Sequence, residues 1–280
     1  MKNFVVAVFT LISLSCLAQN ENSVLWRISG NGLKEPSYLM GTMHIVPAKQ
    51  FVINDSMMSC FKKSKSLIIE ANIKATIGEQ MKIVQRGMLP KGKSLKNYLD
   101  STTFTQYYTY WSDSMKVNKN QLNKMLNFKP IFLNSYLYTQ FIKQPKSYEL
   151  EFLNLAKNKK KLRTLETLLE QMSMLDSIPF ADQLSEYKID KKYNELLNLY
   201  IQQDTYQVNH LIKKCSPRFE SILITKRNEN WIPKINDAIK EEPCFIAVGL
   251  AHIIGENGII NLLRKQGYTL EPIHQSLIKK

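Results

Sequence analysis

The sequence predicts an α/β (α+β) fold in which a central β-sheet carries large helical insertions. Short runs of apolar and β-branched residues, typical of strands, lie towards both ends of the chain. The long middle instead shows the three- and four-residue spacing of amphipathic helices. With 280 residues, of which 44% are hydrophobic, the chain can bury a full core. This composition excludes a disordered, collagen-like or disulfide-dense protein.

The predicted strands are runs of four to six residues, at positions 24–28, 37–40, 66–70, 161–165, 244–248 and 268–273. Helical spacing fills the chain between the third and fourth strands and again between the fourth and fifth. No Gly/Ser-rich linker separates these stretches. We therefore expect one domain at 19–280 with helical insertions at about 75–160 and 166–240.

The first 18 residues have the pattern of a signal peptide. Lys2 precedes an apolar run at 4–12, and small residues lead to a cleavage position after Ala18. This pattern predicts an exported protein, periplasmic or extracellular, with no integral membrane span in the mature chain. Lipidation at Cys16 is the less favoured alternative, because Ser13 stands where lipoproteins carry a large apolar residue.

The charge and the cysteines suggest neither nucleic-acid binding nor a structural zinc site. The chain carries 38 Lys+Arg against 24 Asp+Glu, a net charge of +14, but the lysine run at 157–161 has few interleaved aromatics. We predict a solvated loop there and no nucleic-acid partner. Cys60, Cys215 and Cys244 lack paired spacing, so we interpret them as core residues, with one disulfide left open.

Two short segments near opposite ends of the chain are alike. Gly41-Thr42-Met43-His44 and Gly249-Leu250-Ala251-His252 each follow a predicted strand. A glycine at a strand end allows a sharp turn or a close backbone approach. Two of the four histidines of the chain therefore share one local context, and we expect them to converge if their strands are neighbours. We interpret the other two, His210 and His274, as surface or structural residues.

Glu70 ends another predicted strand and completes a candidate set with His44 and His252. Two imidazoles and one carboxylate suit a divalent metal such as Mn, Co or Zn, which would activate a bound water. Without metal, the same groups would form a His/Glu acid–base set.

Two further polar clusters accompany these candidates. Glu166 follows the fourth strand, just before a predicted capping box of Thr167 and Glu170. Arg227 and Asn228 are expected to interrupt a helical stretch at 219–239 and to bind a carboxylate, either of a substrate or of Glu70 or Glu166. A surface ion pair is the alternative.

In this order the motifs resemble the TraB/GumN family, which includes the Tiki proteases and is distantly related to ChaN-like and erythromycin-esterase-like proteins. The resemblance runs from about residue 24 to 273 and rests on the two GxxH segments, the strand ending at Glu70, Leu165-Glu166-Thr167 with Gln171, and Arg227-Asn228. It implies two GxxH-bearing β/α repeats around one site. The family often has a Gly before an acidic residue near Tyr148-Glu149, where this chain has Ser147.

The resemblance also implies roles. Tiki proteases are peptidases that depend on manganese or cobalt, so His44 and His252 would bind metal with Glu70 as ligand or base. Glu166 would be a second acidic residue, and Arg227 and Asn228 would position substrate or carboxylates.

The leading hypothesis is a secreted metal-dependent hydrolase that cleaves an amide or ester bond in a peptide or small molecule. The first alternative is a metal-independent esterase with His44 as its acid–base residue. The second is a non-catalytic protein that binds haem or another small ligand. The sequence does not set the oligomeric state.

Overall fold

The computed structural model describes residues 21–72, 76–185 and 190–278. The predicted signal peptide and Cys16 lie outside these residues. The strands are β1 (Leu25–Gly30), β2 (Ser37–Thr42), β3 (Val46–Pro47), β4 (Ser66–Ile69), β5 (Pro145–Lys146), β6 (Lys161–Thr164), β7 (Cys244–Gly249) and β8 (Tyr268–Pro272).

A six-stranded mixed sheet forms the centre of the fold, in the order β6-β4-β7-β2-β1-β8. The first four strands of this order are parallel, whereas β1 pairs with β2 and β8 in the antiparallel sense. The carboxyl ends of β6, β4, β7 and β2 therefore meet at one edge. Strands β3 and β5 form a small separate sheet.

Helices connect the strands and account for most of the chain between them. They are α1 (Asp55–Lys63), α2 (Ile77–Gly87), α3 (Ser101–Thr109), α4 (Lys119–Met125), α5 (Pro130–Phe141), α6 (Tyr148–Ala156), α7 (Leu168–Asp176), α8 (Phe180–Ser185), α9 (Asp190–Gln202), α10 (Thr205–Lys213), α11 (Pro217–Glu220), α12 (Lys226–Glu241), α13 (Leu250–Ile253) and α14 (Ile259–Lys265). A 3₁₀ turn at Leu95–Asn97 and π-helical turns at Tyr110–Ser114 and Ser221–Thr225 complete them.

Two apolar cores stabilise this arrangement. The larger core buries both faces of the sheet, including the fully buried β7. The smaller core lies within the helices between β4 and β5, where Tyr107, Trp111 and Leu133 are fully buried. The helical segment after β4 thus has an apolar centre of its own.

The α/β (α+β) fold class is confirmed, and every predicted strand agrees with an observed one to within two residues. Strands β3 and β5 were not predicted, because two-residue strands leave no pattern in a sequence. The capping box of Thr167 and Glu170 is present at the start of α7. Among the described residues, no helix has the length and apolar character needed to cross a membrane. The division at residues 18 and 19 stays a prediction.

One expectation about α12 is wrong. Arg227 and Asn228 do not interrupt a helix but lie in the first turn of α12. The irregularity precedes them, at the π-helical turn Ser221–Thr225. A π-helical turn adds a residue to the repeat, which shifts the apolar spacing and makes a continuous helical segment look broken in sequence.

The interpretation of the cysteines as core residues is confirmed for Cys60 and Cys244 and is wrong for Cys215. Cys60 and Cys244 are buried in the larger core, Cys215 is partly buried, and no disulfide joins the three. His210 and His274 are exposed.

Gly41 in β2 allows α13 to pack against the sheet. A Cβ atom at this position would lie 2.7 Å from the Cδ1 atoms of both Leu250 and Ile253. Both residues belong to α13, which also carries His252. The glycine of the first GxxH segment therefore fixes the position of the second.

We expect Gly41→Ala to lower the free energy of unfolding by about 1–3 kcal/mol, because the buried side chains of Leu250 and Ile253 must shift. Urea denaturation followed by tryptophan fluorescence measures this change. Gly78→Ala is the matched control, because a Cβ at Gly78 in α2 meets nothing within 4 Å. That control should be neutral or stabilising by up to about 1 kcal/mol. Equal stability of Gly41→Ala and wild type would contradict the packing argument.

Candidate active site

The candidate residues from the sequence all lie together at the carboxyl edge of the parallel strands. Four of them follow strand ends and two come from the first turn of α12. They are His44 after β2, Glu70 after β4, Glu166 after β6, His252 after β7, and Arg227 and Asn228. Ligand sites of open α/β sheets commonly form at this edge.

Gly249 ends β7 in the middle of this group. Its backbone N–H donates a 2.7 Å hydrogen bond to Glu70 Oε1. A Cβ atom at Gly249 would lie 3.0 Å from His44 Nε2 and 3.2 Å from Glu70 Oε1. The absence of a side chain therefore lets His44 and Glu70 approach the end of β7.

Asn228 sets the orientation of the His252 ring. Its Nδ2 donates to the carbonyls of His252 (3.0 Å) and Asn257 (2.7 Å). Its Oδ1 must then accept, at 2.8 Å, from Nδ1–H of His252. The Nε2 atom of His252 is consequently the unprotonated nitrogen, and it faces Glu70 at 3.9 Å from Oε1.

Arg227 uses every N–H donor of its guanidinium. Nη2 donates to Glu70 Oε2 and Glu166 Oε1, both at 2.6 Å, and Nε donates to Glu166 Oε2 at 3.2 Å. Nη1 donates to His252 Nε2 at 2.9 Å and to the Leu223 carbonyl at 3.1 Å. A guanidinium has five such donors in a fixed plane, so no other side chain can make this set of contacts.

The environments of the two glutamates shift their pKa values in opposite directions. Burial favours the neutral form of Glu70, but the neighbouring imidazoles, Arg227 and the Gly249 N–H outweigh it and lower the pKa of Glu70 to about 2. Burial raises the pKa of Glu166 in spite of the contact with Arg227. Glu70 is therefore ionised over the whole physiological range.

The two histidines also differ in charge. Burial lowers the pKa of His252 to about 3, despite the attraction of Glu70, so this ring is neutral. Desolvation also lowers the pKa of His44, but the nearby carboxylates of Glu149 and Glu70 outweigh this effect and raise the pKa of His44 to about 9. The side chain of His44 is 60% exposed, so its proton can be exchanged with solvent or a ligand.

Glu149 is a site residue that we did not predict as functional. It lies in α6, is buried, and accepts from His44 Nδ1 at 2.9 Å and from the hydroxyls of Thr42 and Ser147. Burial would raise its pKa, but His44 and the hydroxyl contacts lower it. Its position beside Tyr148 is where the family pattern places an acidic residue, which was the available signal.

The arrangement contains the donors of a metal site without being a preformed one. Glu70 Oε1 lies 3.7 Å from His44 Nε2 and 3.9 Å from His252 Nε2. In the part of the chain that the structure describes, however, no group of three His, Cys, Asp or Glu side chains is arranged to hold a metal ion. Arg227 Nη1 occupies the lone pair of His252 that a metal would use.

We expect Arg227→Lys to lower the free energy of unfolding by about 1–3 kcal/mol, because an ammonium has three donors and leaves buried acceptors around Glu166 and His252 unpaired. Urea denaturation monitored by circular dichroism measures the loss. Arg27→Lys serves as the control, since Arg27 and Glu271 form an exposed pair whose change should stay under about 1 kcal/mol. Equal effects of the two substitutions would argue against the buried network.

Several curated proteins are similar in sequence to this chain. A curated relative named metalloprotease TIKI1, from Homo sapiens, is 30% identical over 41% of this chain and 27% of its own length. Metalloproteases TIKI1 and TIKI2 from Danio rerio are each 22% identical, over 91% and 89% of this chain and 65% and 61% of their own lengths. The chain thus spans less than two thirds of each of these relatives. No solved structure matches it.

The family comparison covers the whole sheet and every candidate site residue. The profile of the TraB/PrgY/gumN family matches residues 24–272, from the residue before β1 to the end of β8. Since this match spans most of the chain, the protein belongs to the TraB/PrgY/gumN family.

Proposed function

We propose that this protein is a metal-dependent hydrolase that cleaves amide or ester bonds, with peptides as the favoured substrates. His44, His252 and Glu70 would hold the metal. The orientation of the two imidazoles carries the proposal: each ring has its Nδ1 on an acceptor, Glu149 or Asn228, and its Nε2 towards the same oxygen of Glu70. Metal-binding histidines in proteins are held in this way.

The charge balance of the site supports cation binding. The carboxylates of Glu70, Glu149 and Glu166 face one guanidinium and one imidazolium, which leaves one net negative charge at neutral pH when all three are ionised. A divalent cation that replaces the proton on His44 Nε2 would compensate that charge. The chemistry of the donors, two imidazoles and one carboxylate, suits Zn, Mn or Co.

Metal binding at His252 requires a limited movement of Arg227. Nη1 must leave His252 Nε2, and because the guanidinium is rigid and planar, this movement also shifts the contacts of Nε and Nη2 with the two glutamates. Because all its donors are used within the protein, Arg227 is a positioning residue that holds Glu70 and Glu166. Asn228 is also a positioning residue, because its hydrogen bond to Nδ1 fixes the orientation of the His252 ring.

The residues then have distinct roles. A divalent cation would supply an activated water and polarise the carbonyl of the scissile bond. Glu70, which is ionised and adjacent to both histidines, would either bind the metal or accept a proton from the water. Glu149 would orient His44 and increase its basicity, as a carboxylate does behind a metal-binding histidine. The names of the curated relatives, all metalloproteases, agree with this proposal. We propose export as well, on the basis of the leader that the first 18 residues predict.

A metal-free mechanism is the second candidate, and the contact between His44 and Glu149 favours it. His44 is protonated, 60% exposed and hydrogen-bonded at 2.9 Å to a buried carboxylate. Such a ring could donate a proton to a leaving group, and Glu70 beside it could serve as the base.

We expect wild-type protein exposed to manganese, cobalt and zinc, and purified without chelator, to contain about one metal ion per chain. His44→Ala/His252→Ala should lose this metal, because two of its three donors are removed. Plasma mass spectrometry measures the content. The matched control is His210→Ala/His274→Ala, which removes the two exposed histidines outside the site. Metal-free wild type would contradict metal dependence, and equal loss in the control would contradict the assigned ligands.

Hydrolysis of an internally quenched peptide library should stop after dialysis against 1,10-phenanthroline and return when metal is restored. Glu70→Gln should lower kcat/KM by about 100-fold or more, because the ionised carboxylate is lost at the centre of the site. Full activity after chelation would overturn the metal mechanism and favour the pair of His44 and Glu149. In that case Glu149→Gln should lower kcat and shift the pH profile.

A further inference from the structure

An apolar cavity opens beside the histidines on the side of the helices that follow β6. Its volume is about 320 Å³, and Thr42, His44, Arg227 and His252 form one end of it. Its walls come from α9, α10, α11 and the π-helical turn before α12. The cavity is therefore continuous with the candidate active site.

The walls are built from large apolar side chains that remain partly exposed. They are Leu196, Ile212, Phe219, Leu223 and Ile224. Glu220 is the acidic residue in the lining. Apolar side chains gathered around a concave site, with a few polar groups at one end, are typical of ligand pockets. Water in this cavity would be displaced favourably by an apolar group.

A different cavity lies on the other side of His44. It has a volume of about 390 Å³, and Glu70, Ser147, Glu149 and Gln171 are among its lining residues. His44 thus lines both cavities, and the second one contains the more polar and acidic side chains. A substrate whose scissile bond lies at His44 and Glu70 would place one flanking group in each.

We propose that the apolar cavity is a subsite for one large aliphatic or aromatic side chain of a peptide substrate, next to the scissile bond. This inference rests on the proposed function. The cavity is at the small end of ligand pockets, which hold roughly 300–1,000 Å³, so it fits one or two side chains. Along the apolar walls a charged substrate side chain would have no partner and is disfavoured, because the charged lining groups are Glu220 and, next to the candidate active site, His44 and Arg227.

Cys215 provides a direct reporter of occupancy. It lines the cavity and is partly buried, whereas Cys60 and Cys244 are buried in the core. A thiol reagent should therefore modify Cys215 before the other two, and a ligand in the cavity should slow that reaction. This readout does not require hydrolysis.

Phe219 is suited to testing selectivity, because it lies in the cavity wall on the short helix α11 and is partly exposed. Phe219→Lys places a charge in the wall without touching the candidate catalytic residues. Tyr206→Lys is its control, since Tyr206 is 72% exposed, lies on α10 and does not line this cavity.

The first experiment compares kcat/KM across internally quenched peptides that differ beside the cleaved bond. Wild type and Tyr206→Lys should prefer Leu, Met or Phe over Asp, Glu or Lys by about 10- to 100-fold on one side of that bond. Phe219→Lys should lose at least about tenfold of this preference, because the new charge stands in the apolar wall. The absence of a preference in wild type, or an unchanged one in Phe219→Lys, overturns the subsite.

The second experiment separates the subsite from the proposed function. N-acetyl-phenylalanine amide should slow the modification of Cys215 by N-ethylmaleimide at least about threefold, and N-acetyl-aspartate amide should not. Peptide mass spectrometry follows Cys215 in the wild-type protein. Protection without any hydrolysis would retain the subsite and reject the hydrolase. Equal modification rates with both amides would reject the subsite, whatever the activity.

Discussion

The buried guanidinium of Arg227 is the interaction on which the site depends. It joins carboxylates that follow β4 and β6 to the imidazole that follows β7, so three strand ends are connected through one side chain. Burying Glu70 and Glu166 without it would leave two charges a few ångströms apart in a dry environment, which is strongly unfavourable. The same contact places a positive charge where a metal would approach. Arg227 and a metal ion would therefore compete for the lone pair of His252 Nε2.

The two GxxH segments are linked by reciprocal close packing. Gly41 leaves room for the helix that carries His252, and Gly249 leaves room for His44. Neighbouring parallel strands make this possible, because β2 and β7 pair with Thr42 opposite Gly249. Neither half of the repeat can change its glycine without displacing the histidine-bearing part of the other. The two segments therefore behave as one structural unit, although most of the chain separates them.

Sequence reasoning succeeded where strand ends determine position. Polar residues directly after apolar runs, such as Glu70 and Glu166, must emerge at one edge if those runs are parallel strands. It missed Glu149, because no local pattern connects this residue of α6 with His44, whereas the contact of Arg227 with Glu70 and Glu166 was among its expectations. The helical context of Arg227 was misjudged for a local reason, since the π-helical turn upstream changes the apolar period. Hydrophobic periodicity predicts helices and strands. Contacts between elements that lie far apart in the chain depend on tertiary packing, which a single sequence does not reveal.

The strand at the centre of the sheet is nearly the last to be synthesised. Until β7 leaves the ribosome, β2 and β4 each expose an edge of unpaired backbone groups, and apolar open edges are templates for pairing with other chains. The long-range contacts that β7 makes are also the kind that form slowly. The pair β6 and β4 and the pair β2 and β1 therefore stay separate until β7 inserts between β4 and β2. Insertion of β7 is therefore the step that closes the sheet and also brings the residues of the candidate site together.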